Sequence, residues 1–121
     1  MENKIERKNP VLKQLIKDLK KQSIEKDVNI WKRVAEDLEK PTKKQRSINL
    51  YKLNDVVNEG DTVVVPGKVL GTGHITTEIT LAAYNYSNSA REKAEDSPVE
   101  VMTIRELVEE NPEGKNVRII G

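Results

Sequence analysis

A chain of 121 residues suits one domain, large enough to bury about two-thirds of the surface its unfolded form exposes. With no cysteine and one histidine, it excludes a disulfide framework and the usual zinc ligand sets, and it fits a reducing compartment. The formal net charge is only +1, yet residues 1–47 hold 14 Lys and Arg against 8 Asp and Glu, while residues 48–121 hold 7 against 12. That imbalance points to a basic face for a polyanion and a more acidic remainder. The charged start, Met1 to Pro10, does not read as a secretory signal, and no apolar run approaches the roughly 20 residues that span a bilayer. A cytosolic protein is expected.

The first helix is predicted from Asn9 as cap and Pro10 in the first turn, with Val11, Leu12, Leu15, Ile16 and Leu19 as one apolar stripe. A second helix is predicted near Asp27, with Trp31, Val34, Ala35 and Leu38 at i, i+3, i+4 and i+7. Trp31 could stack on a base, but its place in the stripe reads as core. Pro41 ends this helix or lies just beyond its end, and residues 42–47 form a basic loop without an apolar side chain. Ile48-Asn49-Leu50 re-enters the core, and Leu50, Leu53 and Val57 predict a short third helix stopped near Gly60.

The second half is richer in strands. Val63-Val64-Val65 reads as a buried strand, Pro66-Gly67 as turn residues, and Lys68-Val69-Leu70 as a short strand or a continuation. Gly71-Thr72-Gly73 opens a loop, and Ile79 to Ala83 is a further strand. Ser87 or Ser89 caps a weak helix through Arg91 to Glu95. Val99 to Met102 is a strand, and Thr103 opens a capping box with Glu106 on a helix that stops before Pro112. Val117 to Ile120 closes the chain. The expected class is α/β: an N-terminal helical pair followed by mixed strands and helices around one core.

Catalytic chemistry finds little here. A Ser or Thr nucleophile commonly needs a base, and His74 is the only histidine; it reads as a surface residue or one stacked against RNA. Gly71-Thr72-Gly73 has the glycines that let N–H groups approach a phosphate. A dinucleotide fingerprint would need Gly where Thr76 stands, and a P-loop ending at Gly67-Lys68 would need Gly and a hydroxyl where Thr62 and Val69 stand. A nucleotide- or cofactor-dependent enzyme using the Gly71–Gly73 loop is the alternative, and a protein-only interaction module a third. The basic loop carries more weight: Lys43, Lys44 and Arg46 can each neutralise a phosphate and release a counterion. Lys68 beside the glycine loop can do the same. Asn85-Tyr86-Ser87 matches a glycosylation sequon, which a chain without a secretory signal does not present to that machinery.

Taken in order, several of these stretches resemble the eL-eighteen family, archaeal and eukaryotic large-subunit ribosomal proteins that share a fold with the bacterial ribosomal protein L-fifteen group. The landmarks are Asn9-Pro10-Val11-Leu12, Trp31 to Pro41, Ile48-Asn49-Leu50, the uninterrupted Val63-Val64-Val65-Pro66-Gly67-Lys68-Val69-Leu70-Gly71-Thr72-Gly73, and Asn111-Pro112-Glu113-Gly114 with Val117-Arg118-Ile119. The resemblance implies irregularly wound strand-strand-helix units, no catalysis, no cofactor, and contact with large-subunit ribosomal RNA and neighbouring ribosomal proteins. Residues 1–121 would form a single domain: an arm (1–9), the helical pair and basic loop (10–47), and a mixed core (48–121). The matching RNA contacts would be Lys4, Arg7 and Lys8 in the arm, Lys43, Lys44 and Arg46 in the loop, and Lys68 with Gly71, Thr72, Gly73 and His74. Two features depart from the family: the near-neutral charge, and Ala94, where many relatives carry a larger apolar residue. The second predicts loose packing of the helix after Ser87.

Overall fold

The computed structural model describes residues 10–40 and 46–120. In chain order they form α1 (Pro10–Lys26), α2 (Asn29–Glu39), β1 (Arg46–Asn49), α3 (Leu50–Val56), β2 (Thr62–Leu70), β3 (Thr80–Tyr86), α4 (Asn88–Glu95), β4 (Glu100–Thr103), α5 (Ile104–Glu110) and β5 (Val117–Ile119). The expected cap at Asn9 and stop at Pro41 lie outside the described residues.

Pro10 opens α1, where a missing N–H costs nothing. Leu12, Leu15, Ile16 and Leu19 are buried along one stripe. Val11, expected with them, is instead 76 % exposed, because it lies about 100° round the helix from Leu12. Asp27, with φ of 52°, ends α1 and turns the chain into α2. On α2 the side chains of Trp31, Val34, Ala35 and Leu38 are completely buried. The Trp31 indole N–H donates to the Pro112 carbonyl at 2.8 Å, which also accepts from the Gln22 amide at 3.1 Å. Trp31 is thus a core residue whose polar edge ties the helical hairpin to the loop after α5.

Every strand pairing is parallel. β2 is the centre: β3 lies along one side, while β5 (against Thr62–Val64) and β1 (against Gly67–Leu70) share the other. β4 extends the sheet beyond β3. A parallel sheet is covered on both faces, and side chains alternate between them. Val64, Ala82 and Met102 pack with α1, α2 and α5, whereas Val63, Val65, Leu81 and Ala83 pack with α3 and α4.

Pro66-Gly67 is not a turn: β2 runs through it unbroken. Proline has no N–H to give to the ladder, and the register against β3 slips at this point, between Val65 and Lys68, so a bulge absorbs the missing donor. Gly67 faces Arg46 across the β1 pairing so closely that a Cβ would overlap the Arg46 carbonyl. Parallel neighbours usually need a helical crossover. Here residues 71–79 return without one. Ile75 and Ile79 are buried along this path, and the Asn54 side chain accepts from the Thr76 N–H at 3.0 Å and the Thr77 hydroxyl at 3.1 Å.

β3 starts one residue later than expected and continues to Tyr86, whose phenol lies 2.9 Å from the Met102 carbonyl and ties β3 to β4. Burial pushes that phenol's pKa up. Of the two candidate caps for α4, Ser87 is the one used, accepting the Ala90 N–H at 3.1 Å. The Thr103–Glu106 capping box forms in both directions, at 3.0 and 3.1 Å. Ala94 lines a groove of about 490 Å³ between α4 and β4, together with Tyr86, Val99 and Met102. Space is therefore left where a larger apolar residue would fit.

Two substitutions check this packing. Gly67→Ala should lower unfolding free energy by about 3 kcal/mol, because the obstacle is backbone rather than a movable side chain. Ala94→Leu should raise it by about 0.5–1 kcal/mol by filling the groove without loss of helix propensity. Urea denaturation of both variants beside the unmodified chain measures each; a stable Gly67→Ala protein would contradict the β1–β2 approach.

Candidate nucleic-acid interface

Five of the expected RNA contacts (Lys4, Arg7, Lys8, Lys43 and Lys44) lie outside the described residues. The other six fall on the β1–β2 edge and the loop after β2. Pairing of β1 with β2 sets Arg46 opposite Gly67 and Ser47 opposite Lys68. The end of the basic stretch and the start of the glycine-loop stretch, separate in sequence, are therefore neighbours in space.

Arg46 is only partly available. Its Nε–H donates to Asp37 Oδ2 at 2.9 Å, and Lys40 Nζ lies 2.9 Å from Asp37 Oδ1. Asp37 belongs to α2 and its side chain is only 11 % exposed. Burial by itself raises a carboxyl pKa, but the hydrogen bonds and charges of Lys40 and Arg46 outweigh it and hold Asp37 below the ordinary range. The sequence alone presents Arg46 as a free cation; the fold gives it a structural task as well. Arg105 and Arg118 are similarly matched, by Asp18 and Asp61, each at 2.8 Å. Lys68 differs. It is exposed, and it has no ion-pair partner among the described residues.

The glycine loop is held from within. Lys93 Nζ, on α4, donates to the Gly71 carbonyl at 2.6 Å and the Gly73 carbonyl at 3.0 Å. The Tyr51 N–H, at the start of α3, donates to the Thr72 carbonyl at 3.0 Å. Gly73 has φ of +88°, and a Cβ there would run into Tyr51. A Cβ on Gly71 would meet the Ser89 side chain and the Ala90 nitrogen. Both glycines are thus needed for close approach, and Gly73 for its conformation too. Thr72 and His74 are exposed.

Two residues of this site escaped the sequence reading. Lys93 sits on a helix with few apolar residues and reads as an ordinary solvated cation. Tyr51 is 50 % exposed beside the loop. A signal for it exists in the spacing: it lies about 100° off the Leu50–Leu53 stripe, so its ring could not join the core. Asn85 of the glycosylation match is exposed opposite Lys68, with its side-chain oxygen accepting the Tyr86 N–H at 2.9 Å. No group of three His, Asp or Glu side chains able to hold a metal occurs among the described residues, and none of their helices is long and apolar enough to cross a membrane.

The sequence profile of a family described as ribosomal proteins 50S L-fifteen, 50S L-eighteen-e and 60S L-twenty-seven-A matches residues 12–97. The chain belongs to this ribosomal protein family. It is 42 % identical over 120 residues to the large ribosomal subunit protein eL18 of Methanothermobacter thermautotrophicus, covering 99 % of both chains. It is 46 % identical over 117 residues to the protein of that name from Methanopyrus kandleri, covering 93 % of this chain and 92 % of the relative. A third, from Methanoregula boonei, is 41 % identical over 120 residues and 99 % of each chain. This family consists of structural ribosomal proteins, not enzymes, so the nucleotide-enzyme alternative for the Gly71–Gly73 loop is set aside. The residues matched in the ribosomal protein family include both the β1–β2 edge and Lys93.

The Asp37 cluster makes a pH-dependent contribution to stability. Because its carboxyl pKa is lower folded than unfolded, the contribution is present above the unfolded value, about 3.9, and lost as pH falls through the lower folded value. Asp37→Asn should therefore cost about 1–2 kcal/mol at pH 7 and less at an acid pH well under the unfolded value of about 3.9. Chemical denaturation at the two pH values measures the difference; an equal loss at both would show that charge is not the cause.

Proposed function

We propose that the chain is a structural component of the large ribosomal subunit, working in the cytoplasm on the ribosome, which stabilises folded ribosomal RNA by holding its phosphates. The observation that carries this reading is the cluster at the ends of β1 and β2. Exposed Lys68, without a carboxylate partner among the described residues, stands with the glycine loop next to β1, the strand that follows Lys43 and Lys44 in the chain. Arg46, Arg105 and Arg118 are each matched by an aspartate, whereas Lys68 meets no carboxylate among the described residues. Its relatives are named as large ribosomal subunit proteins.

In this proposal residues 1–121 act as one unit. The arm brings Lys4, Arg7 and Lys8, the basic loop brings Lys43 and Lys44 with Arg46 at its end, and the sheet edge brings Lys68 and residues Gly71, Thr72, Gly73 and His74. Such contacts position RNA and carry little sequence information. Neighbouring ribosomal proteins would meet the more acidic remainder.

Affinity for archaeal large-subunit ribosomal RNA across a salt series is the test. In Lys43→Ala, Lys44→Ala and Lys68→Ala variants, removing one cation from a phosphate should reduce the slope of log affinity against log salt by about 0.7–0.9. The melting temperature should barely move. Arg46→Ala should lower it, since Asp37 is then deprived of a partner. A triple lysine variant with unaltered affinity and slope would remove these side chains from the interface.

A further inference from the structure

Three successive carbonyls, those of Gly71, Thr72 and Gly73, accept hydrogen bonds from the protein body: two from the Lys93 ammonium and one from the Tyr51 N–H. There are no cis peptide bonds among the described residues, and in a planar trans peptide the C=O and the following N–H point in opposite directions. Turning these carbonyls towards α3 and α4 therefore turns the N–H groups of Thr72, Gly73 and His74 away from the body. None of those three has a hydrogen-bond partner among the described residues. Three successive N–H groups left free on the outer side of a glycine loop are the donors from which a backbone anion site is built.

We infer that Lys93 is a positioning residue that converts the glycine loop into a backbone cradle for a phosphate oxygen. This rests on the proposed RNA-binding role and goes further, because it assigns the anion to main-chain donors and gives Lys93 a part without contact to the ligand. Lys93 is suited to this. It is half-buried, both of its bonds go to carbonyls, and it has no ion-pair partner among the described residues. Its charge is thus not cancelled by a carboxylate and adds to the positive field beneath the N–H groups. A carboxylate paired with it would weaken that field. The glycines complete the arrangement, since a side chain at 73 would displace the Tyr51 backbone that holds the middle carbonyl.

The experiment compares the full unmodified chain with Lys93→Met and Lys93→Arg, using archaeal large-subunit ribosomal RNA over a salt series and amide hydrogen exchange of the free protein. Lys93→Met should bind about tenfold more weakly, the scale expected when the support behind a binding group is removed. Its salt slope should be unchanged, because every phosphate-contacting cation is still present, and exchange of the Tyr51 N–H, which is bonded to the Thr72 carbonyl, should quicken once the loop loses its support. Lys93→Arg, which keeps the charge and the donors, should bind within about threefold of the unmodified chain. Should the Met variant not fold, Lys93→Gln, with a donor but no charge, carries the same comparison. A slope lowered by about 0.7–0.9 would mean that Lys93 touches phosphate itself, overturning the inference. So would undiminished affinity, or exchange that does not change. If the unmodified chain itself bound RNA weakly and without salt dependence, the RNA-binding reading would fail, while the exchange data would still report whether Lys93 holds the loop.

Discussion

The central strand β2 is buried on both faces and paired along both sides, and the rest of the molecule is arranged by that demand. Val63, Val64 and Val65 are fully buried, the first and third against α3 and α4, the second against α1, α2 and α5. Burying each valine is worth about 1.5–3 kcal/mol, so neither helical layer can be removed without exposing a large part of that gain. The sequence meets the demand with an uninterrupted β-branched run, which has no polar face to offer water.

A strand so enclosed must still leave room for its neighbours, and Pro66-Gly67 makes that room. Proline withholds a donor where the register slips, and glycine lets β1 come close enough to pair. The consequence reaches the surface. β1 arrives beside Lys68, and the strand's end sends residues 71–74 over the start of α3 and alongside α4. The loop is rigid in its support and open in its N–H groups, a combination that suits recognition of a backbone phosphate better than recognition of a base.

Electrostatics is divided in the same way. Near Asp37, two cations share one buried-edge carboxylate and contribute to folding. Around the glycine loop, Lys68 and Lys93 meet no carboxylate among the described residues. A total charge of +1 hides this contrast, since it sums matched and unmatched ions alike. What matters to a polyanion is which positive groups remain after the internal pairs have formed.

Much of this was readable from local pattern. The stripe on α2, the Thr103–Glu106 box, the buried valine run and the motif from Val63 to Gly73 all follow from periods and spacings within a few residues, and they determined the α/β class and the family. Other features depend on partners far apart in the chain. That β2 passes through Pro66-Gly67, that Arg46 is tied to Asp37, and that Lys93 and Tyr51 draw in the loop's carbonyls could be decided only by the assembled sheet. Periodicity reports which face of an element is apolar, because that is set by the residue's own backbone geometry. Which donor reaches which carbonyl is set by how separate elements pack, and no local spacing records it.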